Sequence, residues 1–102
     1  MKTFFDGVFI DRQKLEKEGI KYPIRLEYFK TSKRENVQTK FGIEVVKTEY
    51  LDDKMNVETK EVNNITDDIK EVERVLTLLK NNEVTPIAVD DVLQEILPVG
   101  KV

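Results

Sequence analysis

The sequence predicts an α+β fold: a three-stranded antiparallel meander, then one main helix and a short C-terminal helix, both packed on one face of the sheet. Three observations predict it. Apolar residues alternate with period two through the middle of the chain, short polar connections separate the alternating runs, and the spacing switches to a helical stripe after residue 66. With 102 residues the chain has the size of one domain. It divides into an arm or helix over 1–22, a meander over 23–65, a helical part over 66–97 and a tail over 98–102.

In the arm, Phe4, Phe5, Val8, Phe9 and Ile10 are apolar but fit neither period, and Asp11 to Glu18 suits a helix stopped by Gly19. Asp6 and Gly7 cut the first apolar run short of the ~7–15 residues an export signal needs. No stretch approaches the ~20 apolar residues of a membrane span. The expectation is a cytoplasmic protein with no membrane partner, for which the glycosylation sequon Asn64-Ile65-Thr66 carries no weight.

The first strand runs from Pro23 to Lys30, with Ile24, Leu26 and Tyr28 on one face and Arg25 and Glu27 on the other. Ser32 to Asn36 reads as a polar turn. The next strand, Val37 to Tyr50, places Val37, Thr39, Phe41, Ile43 and Val45 together. Gly42 and the consecutive Val45-Val46 predict a bulge near Val45. After the turn Asp52-Asp53-Lys54, a third strand covers Met55 to Val62 with Met55 and Val57 inward.

Ile69, Val72, Leu76 and Leu79, widened by Val75, mark the main helix from about Thr66 to Asn81. Thr66 is the expected N-cap, and Asn81-Asn82 the expected left-handed close. Val84 to Val89 reads as extended around Pro86. Asp90 then caps a short helix carrying Val92, Leu93, Ile96 and Leu97, which ends before Pro98.

Phe41-Gly42-Ile43-Glu44, Tyr50, Asn64-Ile65-Thr66, Val84-Thr85-Pro86-Ile87 and Asp91-Val92 together resemble a family of small clostridial-type (Firmicutes) proteins of unknown function. The likeness spans residues 23–97. It implies the order strand–strand–strand–helix–helix and no catalytic residue. Lys outnumbers Arg 13 to 4, an association with AT-rich bacterial genomes.

Composition removes whole classes of chemistry. There is no Cys, His or Trp, hence no disulfide, thiolate nucleophile, zinc finger or imidazole acid–base group. The pairs Asp52-Asp53, Asp67-Asp68 and Asp90-Asp91 are adjacent in sequence, so their side chains diverge; a turn and two helix starts explain them. No calcium loop or phosphate-binding glycine motif is present, and Ser32 lacks a base partner. The expectations are no catalytic residues, no cofactor, no metal, and not an enzyme.

Two surface features remain. Lys30, Lys33, Arg34 and Lys40 cluster around the first turn beside Tyr28 and Phe29, a mix compatible with a single-strand nucleic-acid surface, although Tyr28 also has core parity. Against it stand Glu35 within the cluster and a pI of about 5.1. The second feature is apolar parity on the wrong face: Phe29 and Val62 point away from the helix side, with Val46 and Tyr50 joining them unless a bulge returns both to the core. Either the arm folds back over that face or another chain covers it. Residues 1–40 carry 10 basic and 6 acidic side chains, and residues 41–102 carry 7 and 14. Such an asymmetry is neutralised within one fold or between chains.

The leading expectation is a small protein-interaction or regulatory module whose partner is another protein or a second copy of itself, using Phe29, Lys30, Lys33, Arg34, Lys40 and Val62. The alternative is a nucleic-acid-associated protein using the basic hairpin, and an enzyme ranks last.

Overall fold

A computed structural model describes residues 1–10 and 22–97. It contains four strands where the sequence predicts three. β1 (Lys2–Ile10), β2 (Ile24–Glu35), β3 (Gln38–Tyr50) and β4 (Met55–Thr66) form one sheet in the order β1-β2-β3-β4, each neighbouring pair antiparallel. The helical part consists of α1 (Ile69–Asn81), a 3-10 turn at Pro86–Ala88 and α2 (Val89–Ile96). The class is α+β, with the helical elements on one face of the sheet. The expected helix over Asp11 to Glu18 and the tail over 98–102 lie outside the described residues.

Residues 1–10 of the arm do not fold back over the sheet; they extend it as β1. Phe4 pairs with Phe29 and Asp6 with Tyr28, so Phe5 is an extra residue in β1. That bulge shifts the alternation. Phe5, Val8 and Ile10 pack against the core, and Phe4 and Phe9 point to the other face, 55% and 57% exposed. A period-two pattern broken after three residues is illegible from sequence alone.

The second irregularity sits at Gly42 rather than near Val45. Phe41 pairs with Thr66 and Ile43 with Val62, leaving Gly42 alone opposite Asn63, Asn64 and Ile65. Asn64 takes φ 56° to make the bend, and Ile65 turns into the core. The bulged backbone passes so close that a Cβ at residue 42 would meet the Val62 carbonyl oxygen and lie 2.9 Å from the Asn63 Cα. Val45 and Val46 are ordinary neighbours on opposite faces.

Register across the Leu51–Lys54 turn corrects the parity of β4. Tyr50 pairs with Met55 and Ile43 with Val62. Val62 therefore lies on the core side, packed against the buried cluster, and Met55 and Val57 are 62% and 60% exposed on the opposite face. Val37, expected with the inward set, lies in the hairpin turn at 89% exposure beside Asn36, which takes φ 55°.

Ile24, Leu26 and Tyr28 of β2 and Ile43 and Val45 of β3 meet Val72, Val75, Leu76 and Leu79 of α1 and Val89 and Leu93 of α2 in one core. Ile69, predicted in the stripe, opens the helix and stays 44% exposed. The N-cap is Asp68, whose carboxylate accepts from the Lys70 amide at 2.9 Å. Thr66 acts one step earlier: its hydroxyl accepts from the Asp68 amide at 3.1 Å and shapes the entry. The left-handed close falls on Glu83, at φ 49°, while the Asn82 side-chain amide donates to the Leu78 carbonyl. Beyond it, Thr85 is extended as the pre-proline residue, but Pro86 starts the 3-10 turn and α2 begins at Val89 after Ala88, so Asp90 sits in its first turn and is not its cap.

Ion pairs stitch the two layers at the rim. Lys30 Nζ of β2 lies 3.5 Å from Glu73 of α1, Lys80 of α1 lies 3.7 Å from Asp6 of β1, and Lys60 of β4 lies 3.0 Å from Asp90 of α2. Each is partly exposed and contributes ~0.2–1 kcal/mol at most. Lys30–Glu73 and Lys2–Glu44 join the basic first 40 residues to the acidic remainder within the fold.

Candidate functional site

Both helices lie on one side of the sheet, and among the described residues no element covers the other. That open face is built by the alternation of four strands. Reading across from β1 to β4, the register places Phe4, Phe29, Glu44 and Glu61 in one row. The next row is Gly7, Glu27, Val46 and Thr59, and the row after it Phe9, Arg25, Thr48 and Val57. Tyr50 and Met55 end the face.

Aromatic pairs organise it. The Phe4 and Phe29 rings meet edge to face with centroids 5.7 Å apart, and the Lys2 ammonium sits 4.6 Å from the centre of the Phe29 ring. Lys2 also reaches the Glu44 carboxylate at 2.9 Å, and Glu44 is only 8% exposed although none of the described strands or helices lies above it. Phe9 and Tyr50 form a second pair, tilted, at 6.3 Å. Between the pairs, beside the Phe4 ring that leans over Gly7, a hollow of about 220 Å³ is lined by Phe4, Gly7, Phe9, Arg25 and Glu27. A shallow polar groove of about 400 Å³ occupies the hairpin end, lined by Lys2, Thr31, Lys33, Lys40, Glu44 and Glu61 among others.

The structure divides the residues singled out in the sequence. Phe29 lies on the open face, half-buried among Phe4 and Lys2. Lys33 and Lys40 are directly opposite one another in the β2–β3 register and line the polar groove. Lys30 points to the helix side, tied to Glu73, and Arg34 shares its parity. Val62 belongs to the core side. The basic cluster is therefore split across the sheet. Sequence reasoning placed Arg25 on this side of β2 but left out Lys2, kept Phe4 and Phe9 in an aperiodic arm rather than on the sheet, and turned Met55 and Val57 inward. Phe4 and Phe9 were hidden by the Phe5 bulge, and Met55 and Val57 by the wrong strand parity.

The model for a family of unknown function, DUF6514, matches residues 7–99. The chain belongs to that family. No curated protein and no solved structure matches it. In this DUF6514 chain, no three His, Cys, Asp or Glu side chains among the described residues gather into a metal-binding group, and no helix there is long and apolar enough to cross a membrane. One buried titratable side chain stands out: the Tyr28 hydroxyl, whose pKa is raised well above the ordinary value of 10.0, first by burial and then by the charge of Glu83. It donates to the Val84 carbonyl inside the core, away from the open face and from either hollow. Its role in the DUF6514 chain is structural.

Proposed function

We propose that the chain is a non-catalytic cytoplasmic protein-interaction module that works through the open face of its sheet. One observation carries the reading: Phe4, Phe9, Met55 and Val57, each more than half exposed, share one face with Phe29, Val46 and Tyr50. Large exposed apolar side chains gathered on one face in this way support an interaction site. Aromatic side chains on a face that also carries Lys2, Arg25, Glu27, Glu44 and Glu61 fit a protein interface with an apolar centre and a polar rim. The absence of Cys and His from the sequence supports a binding role over a catalytic one.

A nucleic-acid partner at the hairpin is the alternative, favoured by Lys33 and Lys40 standing opposite each other. The split of the cluster and the engagement of Lys30 with Glu73 weigh towards protein.

Photo-cross-linking in living cells tests the reading, with a photoreactive residue at Val57 on the open face or at Ile87, exposed outside it. The expected result is a discrete polypeptide adduct from position 57 and none from position 87. Equal labelling from both positions, or a nuclease-sensitive adduct from position 57, overturns it.

A further inference from the structure

We propose that the partner on the open face is a second copy of this chain, packed sheet to sheet about a two-fold axis. The axis crosses β1 and β2 between the row of Gly7 and Glu27 and the row of Phe9 and Arg25. The inference rests on the reading of the open face as a protein-docking surface and adds the identity and register of what docks.

A two-fold interface needs a surface complementary to itself, on which each protrusion lies beside a recess and each cation beside an anion. The open face meets that condition on two adjacent strands in the same order. On β1, the protruding Phe9 ring is two residues from Gly7, which lines the hollow between Phe4 and Phe9. On β2, Arg25 is two residues from Glu27, and these partner Phe9 and Gly7 respectively in the register. Neither Arg25 nor Glu27 forms an ion pair among the described residues. Rotation about the proposed axis reverses strand direction. It lays each Phe9 over the other chain's Gly7 hollow and each Arg25 across from the other chain's Glu27. On β3 it sets Thr48 against the other chain's Val46, so no charge on the central rows meets a like charge.

The size of the face is adequate. Four strands at ~4.8 Å spacing and about nine residues at ~3.3 Å give roughly 600 Å² in projection. Side-chain relief raises the accessible area towards the ~800 Å² per partner of a standard interface. Packed sheets rotate by about 30°, so the pairs nearest the axis keep this register best, and those are the Phe9–Gly7 and Arg25–Glu27 pairs.

Sedimentation equilibrium of the full chain tests the proposal with Arg25→Glu, Glu27→Arg and the double swap on one chain. Circular dichroism confirms that each variant keeps its fold, and Phe9→Ala serves as an uncharged probe of the same contact. The unmodified chain is expected to dimerise. Each single swap and Phe9→Ala should weaken the dimer at least tenfold. The double swap should restore it, as should mixing the two single-swap chains, because each mismatched pair then finds its opposite. A monomer at near-millimolar concentration overturns the proposal, as does a dimer indifferent to the single swaps or a double swap that restores nothing. A monomeric purified chain that still cross-links from position 57 to a different polypeptide in cells removes the self-partner and leaves the docking face. No adduct from position 57 removes the docking face itself.

Discussion

The Tyr28 hydroxyl donates a 2.9 Å hydrogen bond to the carbonyl of Val84, joining the middle of the sheet to the segment between the two helices. Both ends of the bond are buried, and the tyrosine side chain fills the centre of the core. The bond orients the turn that leaves α1, and with it the position of α2.

Tyr28→Phe keeps the ring and strands the Val84 carbonyl. Chemical denaturation should show a loss of ~1–3 kcal/mol, the cost of an unsatisfied buried acceptor. The tyrosine also imposes a pH dependence. Its folded pKa lies above the unfolded value of 10.0, so the stability it brings is complete below that pH and is lost as the pH rises through the folded pKa. The stability gap between the unmodified chain and Tyr28→Phe should therefore narrow above about pH 10. A constant gap would mean that the hydroxyl is not buried.

Gly42→Ala should destabilise the chain although alanine suits a strand no worse than glycine. The new Cβ meets the Val62 carbonyl and the Asn63 Cα of β4 and the Thr31 hydroxyl of β2, and the β4 backbone has to shift. Overpacking of this kind costs ~1–3 kcal/mol. A thermal melt unchanged from the parent would mean that the β4 bulge does not cross there.

Leu76→Ala removes a side chain with no solvent exposure from the face α1 turns to the sheet. Urea denaturation should show a loss of ~2–5 kcal/mol. A loss below ~1 kcal/mol, in the range of surface changes, would place α1 in a different rotation.

Two β4 valines test the corrected parity directly. Val57→Asp, on the open face, should change the stability of the monomer by no more than ~0.5 kcal/mol, and Val62→Asp, facing the core, should cost several times that. Reversal of that order in parallel denaturation curves would return the strand to the opposite register.

The N-terminal cap of α1 separates two candidates. Asp68→Ala should cost ~1 kcal/mol through loss of the bond to the Lys70 amide. In circular dichroism melts, no loss for Asp68→Ala would remove Asp68 as the cap.

Much of this architecture was legible in the sequence because the physics that produces it is local. The alternation of Ile24, Leu26 and Tyr28 and the helical stripe from Val72 to Leu79 each report one buried face. What was not legible depends on pairing. Phe5 becomes a bulge only when Phe4 meets Phe29 and Asp6 meets Tyr28, so a fourth strand read as an aperiodic arm. The parity of β4 is set by the Tyr50–Met55 register, which its own sparse apolar residues do not specify. Of the expected site, Phe29 and the pair Lys33 and Lys40 fell on the open face, and Lys30, Arg34 and Val62 fell on the other side. A basic cluster in sequence says nothing about which face a residue takes once it lies on a strand.

Hydroxyl-radical footprinting of the purified chain at micromolar and near-millimolar concentration tests the central claim most directly. Phe9, Met55 and Val57 report the open face, and Val37 and Ile87, more exposed still, report surfaces outside the proposed contact. If the open face docks against a second copy, oxidation of Phe9, Met55 and Val57 falls as concentration rises while Val37 and Ile87 react as before. Oxidation of all five residues independent of concentration would contradict it.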